Sequence, residues 1–211
     1  MRDPFGRLGR IYHLLKMAWS GRELRKMREA FLGDPDLVAS RSVLIFGEGD
    51  GRFLKAALEA WPQAQFRVVD QSAGMISMAR RRIIDMGYGS RVRFDQADVI
   101  GWECDEAFDG VVMHCFLDCF DDRGMRHVLK EAKRGLSTGG WVWVGDYVEP
   151  LNRNYQWLRL RCLYKFFQYV TDIRARRIPD YATWFEQNAF EARRCCSFGR
   201  GSLNSCLYFK V

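Results

Sequence analysis

The stretch VLIFGEGDGRFL, residues 43–54, decides the fold. An uninterrupted apolar run is typical of a strand that is buried on both faces, and here it leads directly into Gly47, Gly49 and Gly51. Closely spaced glycines let the backbone turn tightly and approach a ligand, with the N-terminus of the following helix aimed at it. The stretch therefore predicts a strand, a ligand-binding loop and a helix, in that order.

The glycine spacing argues against a nicotinamide dinucleotide. The dinucleotide fingerprint G-x-G-x-x-G needs a third glycine five residues after the first. Arg52 occupies this position if the register starts at Gly47, and Leu54 occupies it if the register starts at Gly49. The fingerprint fails in both registers.

Downstream of this stretch, strand-like and helical segments alternate. Strands are predicted at 42–46, 66–69, 92–94, 109–114 and 140–147, with helices at 52–60, 73–86 and 122–136 between them. Two closing strands at 190–198 and 205–211 flank a glycine turn and predict a hairpin. The fold class is therefore α/β, with a doubly wound, mostly parallel seven-stranded sheet, helices on both faces and an antiparallel last strand.

The 211 residues are enough for one domain with a complete core. We expect an N-terminal helical cap at 1–40, including a helix over 5–32, and a Rossmann-like core at 41–150. A helical lid, aromatic and basic, is predicted at 151–189, with helices at about 151–171 and 180–188. The closing hairpin at 190–211 completes the same domain.

The core resembles the class I methyltransferases that use S-adenosylmethionine (SAM), whose first motif is a strand followed by G-x-G-x-G. The resemblance assigns Asp70, at the end of the second strand, to the SAM ribose, and a carboxylate suits a vicinal diol because it accepts two hydrogen bonds. Asp98 matches the family's acid near the adenine amino group, Val99 would offer its backbone N–H to the ring, and Gln71 would lie against the adenine. The run FDGVV at 108–112 matches the fourth strand.

The chain departs from this family at one position. Family members commonly carry an acid two residues before the first glycine, where this chain has Ile45. The SAM amino group then needs another partner, either a backbone carbonyl of the Gly47–Gly49 loop or the side chain of Glu48. The alternative for Glu48 is a solvent-exposed loop acid.

Two polar residues end the fourth and fifth strands and are candidates for catalysis. His114 would lie beside the sulfonium, and an imidazole with a pKa of about 6.5 suits a general base near neutral pH. The alternative is a histidine that only packs at the edge of the cofactor. Asp146 is the second candidate, for orienting the methyl acceptor.

The distribution of charge and the motifs limit the kinds of partner that we expect. Segments 1–40 and 151–211 carry net charges of +3 and +7, and the core carries −3. Such basic flanks attract an anionic substrate, a membrane surface or nucleic acid, although solvated surface is the simpler interpretation. Nucleic acid is not expected, because the fourth strand leads into HCFL at 114–117 instead of the Asn/Asp-Pro-Pro-aromatic run of base amine methylases.

The seven cysteines are odd in number and irregularly spaced, which predicts free thiols in a reducing compartment. No metal is expected, because neither cysteines nor histidines have ligand spacing. The N-terminus lacks the apolar region of a signal peptide, and a cytoplasmic location is expected.

These observations predict a SAM-dependent methyltransferase acting on the oxygen or nitrogen of a small, aromatic or lipid-like acceptor. The alternatives are an NAD(P)-dependent oxidoreductase or other transferase on the same fold, and a non-catalytic scaffold. The sequence leaves the oligomeric state open.

Overall fold

A computed structural model gives the fold and describes residues 21–149 and 180–211. The predicted helix over 5–32 lies within these residues only from residue 21 onward. The predicted lid lies outside them up to residue 179, and so does the helix predicted at about 151–171.

Within the described residues, seven strands form one sheet in the order β3-β2-β1-β4-β5-β7-β6. The strands are β1 Ser42–Phe46, β2 Gln65–Asp70, β3 Val92–Gln96, β4 Phe108–His114, β5 Leu136–Tyr147, β6 Phe190–Phe198 and β7 Leu203–Lys210. Strands β1 to β5 pair in parallel, and β7 lies antiparallel between β5 and β6. The predicted sheet, including its antiparallel last strand, is confirmed.

Helices cover both faces of the sheet, as predicted. They are α1 at 21–28, α2 Pro35–Val38, α3 Arg52–Ala60, α4 Ala73–Ile84, α5 Asp122–Gly135 and α6 Tyr181–Gln187. Apolar residues of α3 share one core with Trp141 and Trp143, whereas those of α5 and α6 share the core on the opposite face with Val111 and Met113. No helix of the described residues has the length and apolar character needed to cross a membrane.

The sheet reverses its winding between β1 and β4. The chain leaves β1 toward β2 and β3, and then returns to the other side of β1 as β4. In a doubly wound sheet the crevice for a ligand opens at such a point, beyond the carboxyl ends of the strands. The Gly47–Gly51 loop and the end of β4 therefore lie at the position where a ligand is expected.

Several element boundaries differ from the predicted ones. The helix expected to continue to residue 32 ends at residue 28, and the short helix α2 follows. The side chain of Asp34 caps α2 by accepting a hydrogen bond from the Asp36 N–H at 3.1 Å, and Pro35 occupies its first turn. Strand β5 begins at Leu136, four residues before the predicted start.

The expectation of free cysteines throughout is wrong for one pair. Cys195 of β6 and Cys206 of β7 lie directly opposite each other in the antiparallel ladder, with their Cα atoms 4.2 Å apart, and form a disulfide. The register of the hairpin thus brings together two cysteines that are 11 residues apart in the sequence. Within the described part of the chain, Cys104 and Cys196 are free thiols.

Candidate functional site

The loop after β1 is built on three glycines in the left-handed region. Gly47, Gly49 and Gly51 have φ values of +65°, +76° and +82°, a conformation that side chains with a Cβ adopt only at a cost. Gly51 is also the N-cap of α3 and directs the N-terminus of that helix toward the carboxyl edge of the sheet. The loop therefore has the shape that the sequence predicted.

The surroundings of the three glycines differ. A Cβ on Gly47 would overlap the ring of Phe116, and a Cβ on Gly51 would lie 2.8 Å from the Cα of Ala79 in α4. A Cβ on Gly49 would meet nothing within 4 Å. The outer glycines thus close the loop against the protein, and the middle glycine borders open space that a ligand can enter.

Asp70 ends β2 and is bonded to this loop. One carboxylate oxygen accepts a hydrogen bond from the Gly49 N–H at 3.2 Å, and the other accepts one from the Ser72 N–H at 2.9 Å. Ser72 in turn caps α4, where its hydroxyl accepts from the Met75 N–H. The predicted ribose-binding acid is therefore held beside the open side of the glycine loop.

Glu48 points into the protein and not into solvent. Its side chain is buried and accepts a hydrogen bond from the Leu54 N–H, in the first turn of α3, at 2.9 Å. The solvent-exposed alternative is therefore wrong. Burial raises the pKa of Glu48 to about 8, against the opposing effects of the Leu54 hydrogen bond and the Arg28 charge.

Replacing Glu48 with Gln is expected to change how stability depends on pH. Because the pKa is raised in the folded state, folded Glu48 keeps a proton that the unfolded chain loses above its own, lower pKa. The unfolding free energy is therefore highest below the unfolded pKa and falls as pH rises through about 8. Gln cannot titrate but can still accept from the Leu54 N–H. Between about pH 6 and pH 8, the wild type should therefore lose about 2 kcal/mol of unfolding free energy relative to Glu48→Gln.

Urea unfolding at several pH values measures this difference. The matched control is Glu59→Gln, which removes a half-exposed acid from α3. A constant difference between wild type and Glu48→Gln across this range would contradict a raised pKa at Glu48.

The residues assigned to the adenine follow the ends of β2 and β3; they are Gln71, Asp98 and Val99. The Ala97 N–H donates to the Asp70 carbonyl at 3.1 Å, which joins the two strand ends. Asp98 comes next; it is exposed and accepts from the Ile100 N–H at 3.0 Å. Gln71 is exposed as well, whereas Val99 is buried in the core on the α5 face.

His114 is buried between aromatic rings at the end of β4. Its ring centroid lies 4.5 Å from that of Phe53 and 4.8 Å from that of Trp143. Within the described residues, neither of its ring nitrogens has a hydrogen-bond partner. Burial lowers the pKa of His114 well below its ordinary value, and the positive charge of Arg28 lowers it further. The imidazole is therefore neutral at physiological pH.

Asp146 is buried at the end of β5 and binds backbone. One carboxylate oxygen accepts from three consecutive N–H groups, those of Phe116, Leu117 and Asp118, at 3.1 to 3.3 Å. The other accepts from the Tyr147 N–H at 2.8 Å. These contacts favour a role in holding the segment after β4 over the predicted role in orienting an acceptor.

Two residues near the site carry no signal in the sequence. Phe116 lies against Gly47, and Arg28 of α1 acts electrostatically on both Glu48 and His114. An aromatic residue after a strand and one arginine in a basic helix have nothing to distinguish them from others of their kind. Only the packing of α1 and of the segment after β4 identifies them.

Comparison with known proteins agrees with this geometry. Residues 43–140 match the family described as "Methyltransferase domain". A curated relative, trans-aconitate 2-methyltransferase of Rhodopseudomonas palustris strain BisB5, is 32% identical over 116 residues, which are 55% of this chain and 42% of that protein. The matches span less than half the length of the curated relatives.

Solved structures with the same fold are also methyltransferases. The mitomycin 7-O-methyltransferase MmcR superposes with a TM-score of 0.76 at 16% identity, over 98% of this chain and 60% of that one. The N-methyltransferase NodS from Bradyrhizobium japonicum WM9, in complex with S-adenosyl-L-homocysteine (SAH), superposes with a TM-score of 0.69 at 15% identity over 99% of both chains. Residues 43–140 therefore match a methyltransferase domain, and the seven-stranded sheet has the fold of these solved methyltransferases.

Proposed function

We propose that this protein binds SAM at the carboxyl edge of β1, β2 and β3 and transfers its methyl group to a small molecule. The observation that carries the proposal is the glycine loop. Three left-handed glycines form it, the middle one borders open space, and Asp70 is bonded to the N–H of that glycine. A cradle that a single added Cβ would obstruct fits a ligand that approaches the backbone closely.

Each residue around the loop is proposed to bind a different part of the cofactor. Asp70 would bind the ribose hydroxyls, Asp98 and the Val99 N–H the adenine, and Gln71 its face. The methionine end of SAM would lie at the Gly47–Gly49 loop, where Glu48 or a backbone carbonyl would hold its amino group. The N-terminus of α3 adds its partial positive charge there. When bound, SAM supplies a methyl group already activated by a sulfonium, so the protein supplies alignment and a dry site.

The acceptor is proposed to be small, aromatic or lipid-like, and methylated on oxygen or nitrogen. Half-buried Phe116 and Phe120 follow β4, and buried His114 presents a neutral imidazole at the same edge of the sheet. A neutral imidazole keeps one nitrogen that can accept a hydrogen bond from a hydroxyl or an amine. The cytoplasmic location and a peripheral contact of the basic flanks with an anionic membrane stay predictions.

A thermal-shift screen tests the proposed function against the oxidoreductase alternative. A ligand that binds only the folded state, at 100 times its Kd, stabilises a protein by about 2.7 kcal/mol. For a chain of this size we expect SAH and SAM to raise Tm by about 5–10 °C, and NADH and NADPH to leave it unchanged. A shift with a nicotinamide dinucleotide and none with SAH would refute the proposal.

A further inference from the structure

We propose that Asp146 is a positioning residue that holds segment 116–118 against the glycine loop and so sets the shape of the cofactor site through Phe116. The effect on cofactor affinity rests on the proposed function. The anchoring of the segment does not depend on it and is tested separately below.

The first step is the contact of the carboxylate with the segment. Asp146 is 1% exposed, and one oxygen gathers the N–H groups of Phe116, Leu117 and Asp118. Hydrogen bonds to a charged acceptor in a dry environment are roughly twice as strong as those between neutral groups. Because this anchor lies about 30 residues away in sequence, the segment is held by tertiary structure.

The second step is the backbone geometry that presents these three groups. Cys115 has a φ of +52°, unusual for a residue with a Cβ, and its N–H donates to the Gly145 carbonyl at 2.7 Å. After this turn, successive N–H groups converge on one point and form an anion-binding concavity. The pairing of His114 with Gly145 places Asp146 one residue further along β5, beside that concavity.

The third step links the segment to the glycine loop. The Phe116 ring covers Gly47 so closely that a Cβ there would overlap it. The same ring stacks on Phe46 at 5.8 Å between centroids and contacts Phe120 at 4.9 Å. Release of the Phe116 N–H would therefore move a ring that forms one wall of the loop.

Amide hydrogen exchange of the ligand-free protein tests the anchoring. In Asp146→Asn the single amide oxygen cannot serve both the segment and the Tyr147 N–H, and the charge is lost. We expect the exchange protection of the amides of residues 116–118 to fall about tenfold. Unchanged protection would overturn the proposal.

A double-mutant cycle on SAH affinity, measured by calorimetry, tests the link through Phe116. Asp146→Asn and Phe116→Ala should each raise the Kd for SAH about tenfold, and the double variant should be no weaker than either single one. Additive losses, or an unchanged Kd in Phe116→Ala, would overturn the proposal. The Phe116→Ala measurement decides the matter even if Asp146→Asn fails to fold.

Ser205→Ala is the matched control for general destabilisation. Ser205 of β7 is buried, and its hydroxyl accepts from the Trp143 indole N–H at 2.7 Å. Its loss should lower Tm while leaving SAH affinity and the protection of residues 116–118 unchanged. If the wild type binds no SAH, the proposed function fails, and the exchange experiment still decides whether Asp146 holds the segment.

Discussion

Replacing Asp70 with Ala is expected to weaken the binding of SAM and SAH by about 100-fold or more while the fold survives. A carboxylate that accepts two hydrogen bonds from a ribose diol contributes about 1.5–3 kcal/mol for each bond. Asp70 also holds the Gly49 N–H, so its removal loosens the loop at its open point. Isothermal titration calorimetry with SAH measures the loss without knowledge of the acceptor.

Two variants make the Asp70 experiment specific. Asp70→Asn keeps an acceptor oxygen and should recover part of the affinity, whereas Glu59→Ala, at the far end of α3, should bind SAH like the wild type. Circular dichroism should be the same for all variants. Wild-type affinity in Asp70→Ala would remove Asp70 from the ribose and leave the glycine loop without its predicted partner.

His114→Phe tests whether His114 faces the methyl acceptor as a base or only packs at the edge of the cofactor. A phenyl ring keeps the packing between Phe53 and Trp143 but removes both nitrogens. If the imidazole faces the acceptor, SAH should bind within about threefold of the wild type, since no cofactor contact is lost. A loss as large as that of Asp70→Ala would assign His114 to the cofactor.

The parts of the site predicted from sequence are those fixed by local geometry. Left-handed glycines and strand ends follow from residue type and period, so the amino-acid sequence is sufficient to locate Gly47, Gly49, Gly51 and Asp70. The carboxyl ends of neighbouring parallel strands meet at one edge. This rule brings Asp98 and His114 to that edge as well.

The directions of the Glu48 and Asp146 side chains could not be predicted in this way. Glu48 turns inward because the Leu54 N–H needs a partner at the start of α3, and Asp146 is drawn to segment 116–118 by a turn at Cys115. Both outcomes depend on backbone groups left unpaired by the packed fold. The disulfide likewise depends on the register of a hairpin with a bulge between Ala192 and Arg194.

A comparison of Gly49→Ala with Gly51→Ala separates the part of the glycine loop that supports the fold from the part that admits a ligand. At Gly51 the substitution combines a strained φ of +82° with a Cβ 2.8 Å from the backbone of Ala79. The strain costs about 1–2 kcal/mol and the overlap about 1–3 kcal/mol, so we expect a loss of about 3 kcal/mol in unfolding free energy. At Gly49, where no atom lies within 4 Å, only the strain of about 1 kcal/mol applies.

SAH affinity should follow the opposite order, because the Cβ at Gly49 enters the space proposed for the cofactor. Gly87→Ala is the matched control: its φ is +78°, and a Cβ there also meets nothing within 4 Å, but it lies in the turn after α4. Gly87→Ala should therefore lose about as much stability as Gly49→Ala and bind SAH normally. If Gly49→Ala and Gly87→Ala bound SAH equally well, the open space beside Gly49 would be ordinary solvent and the ligand would have to approach elsewhere.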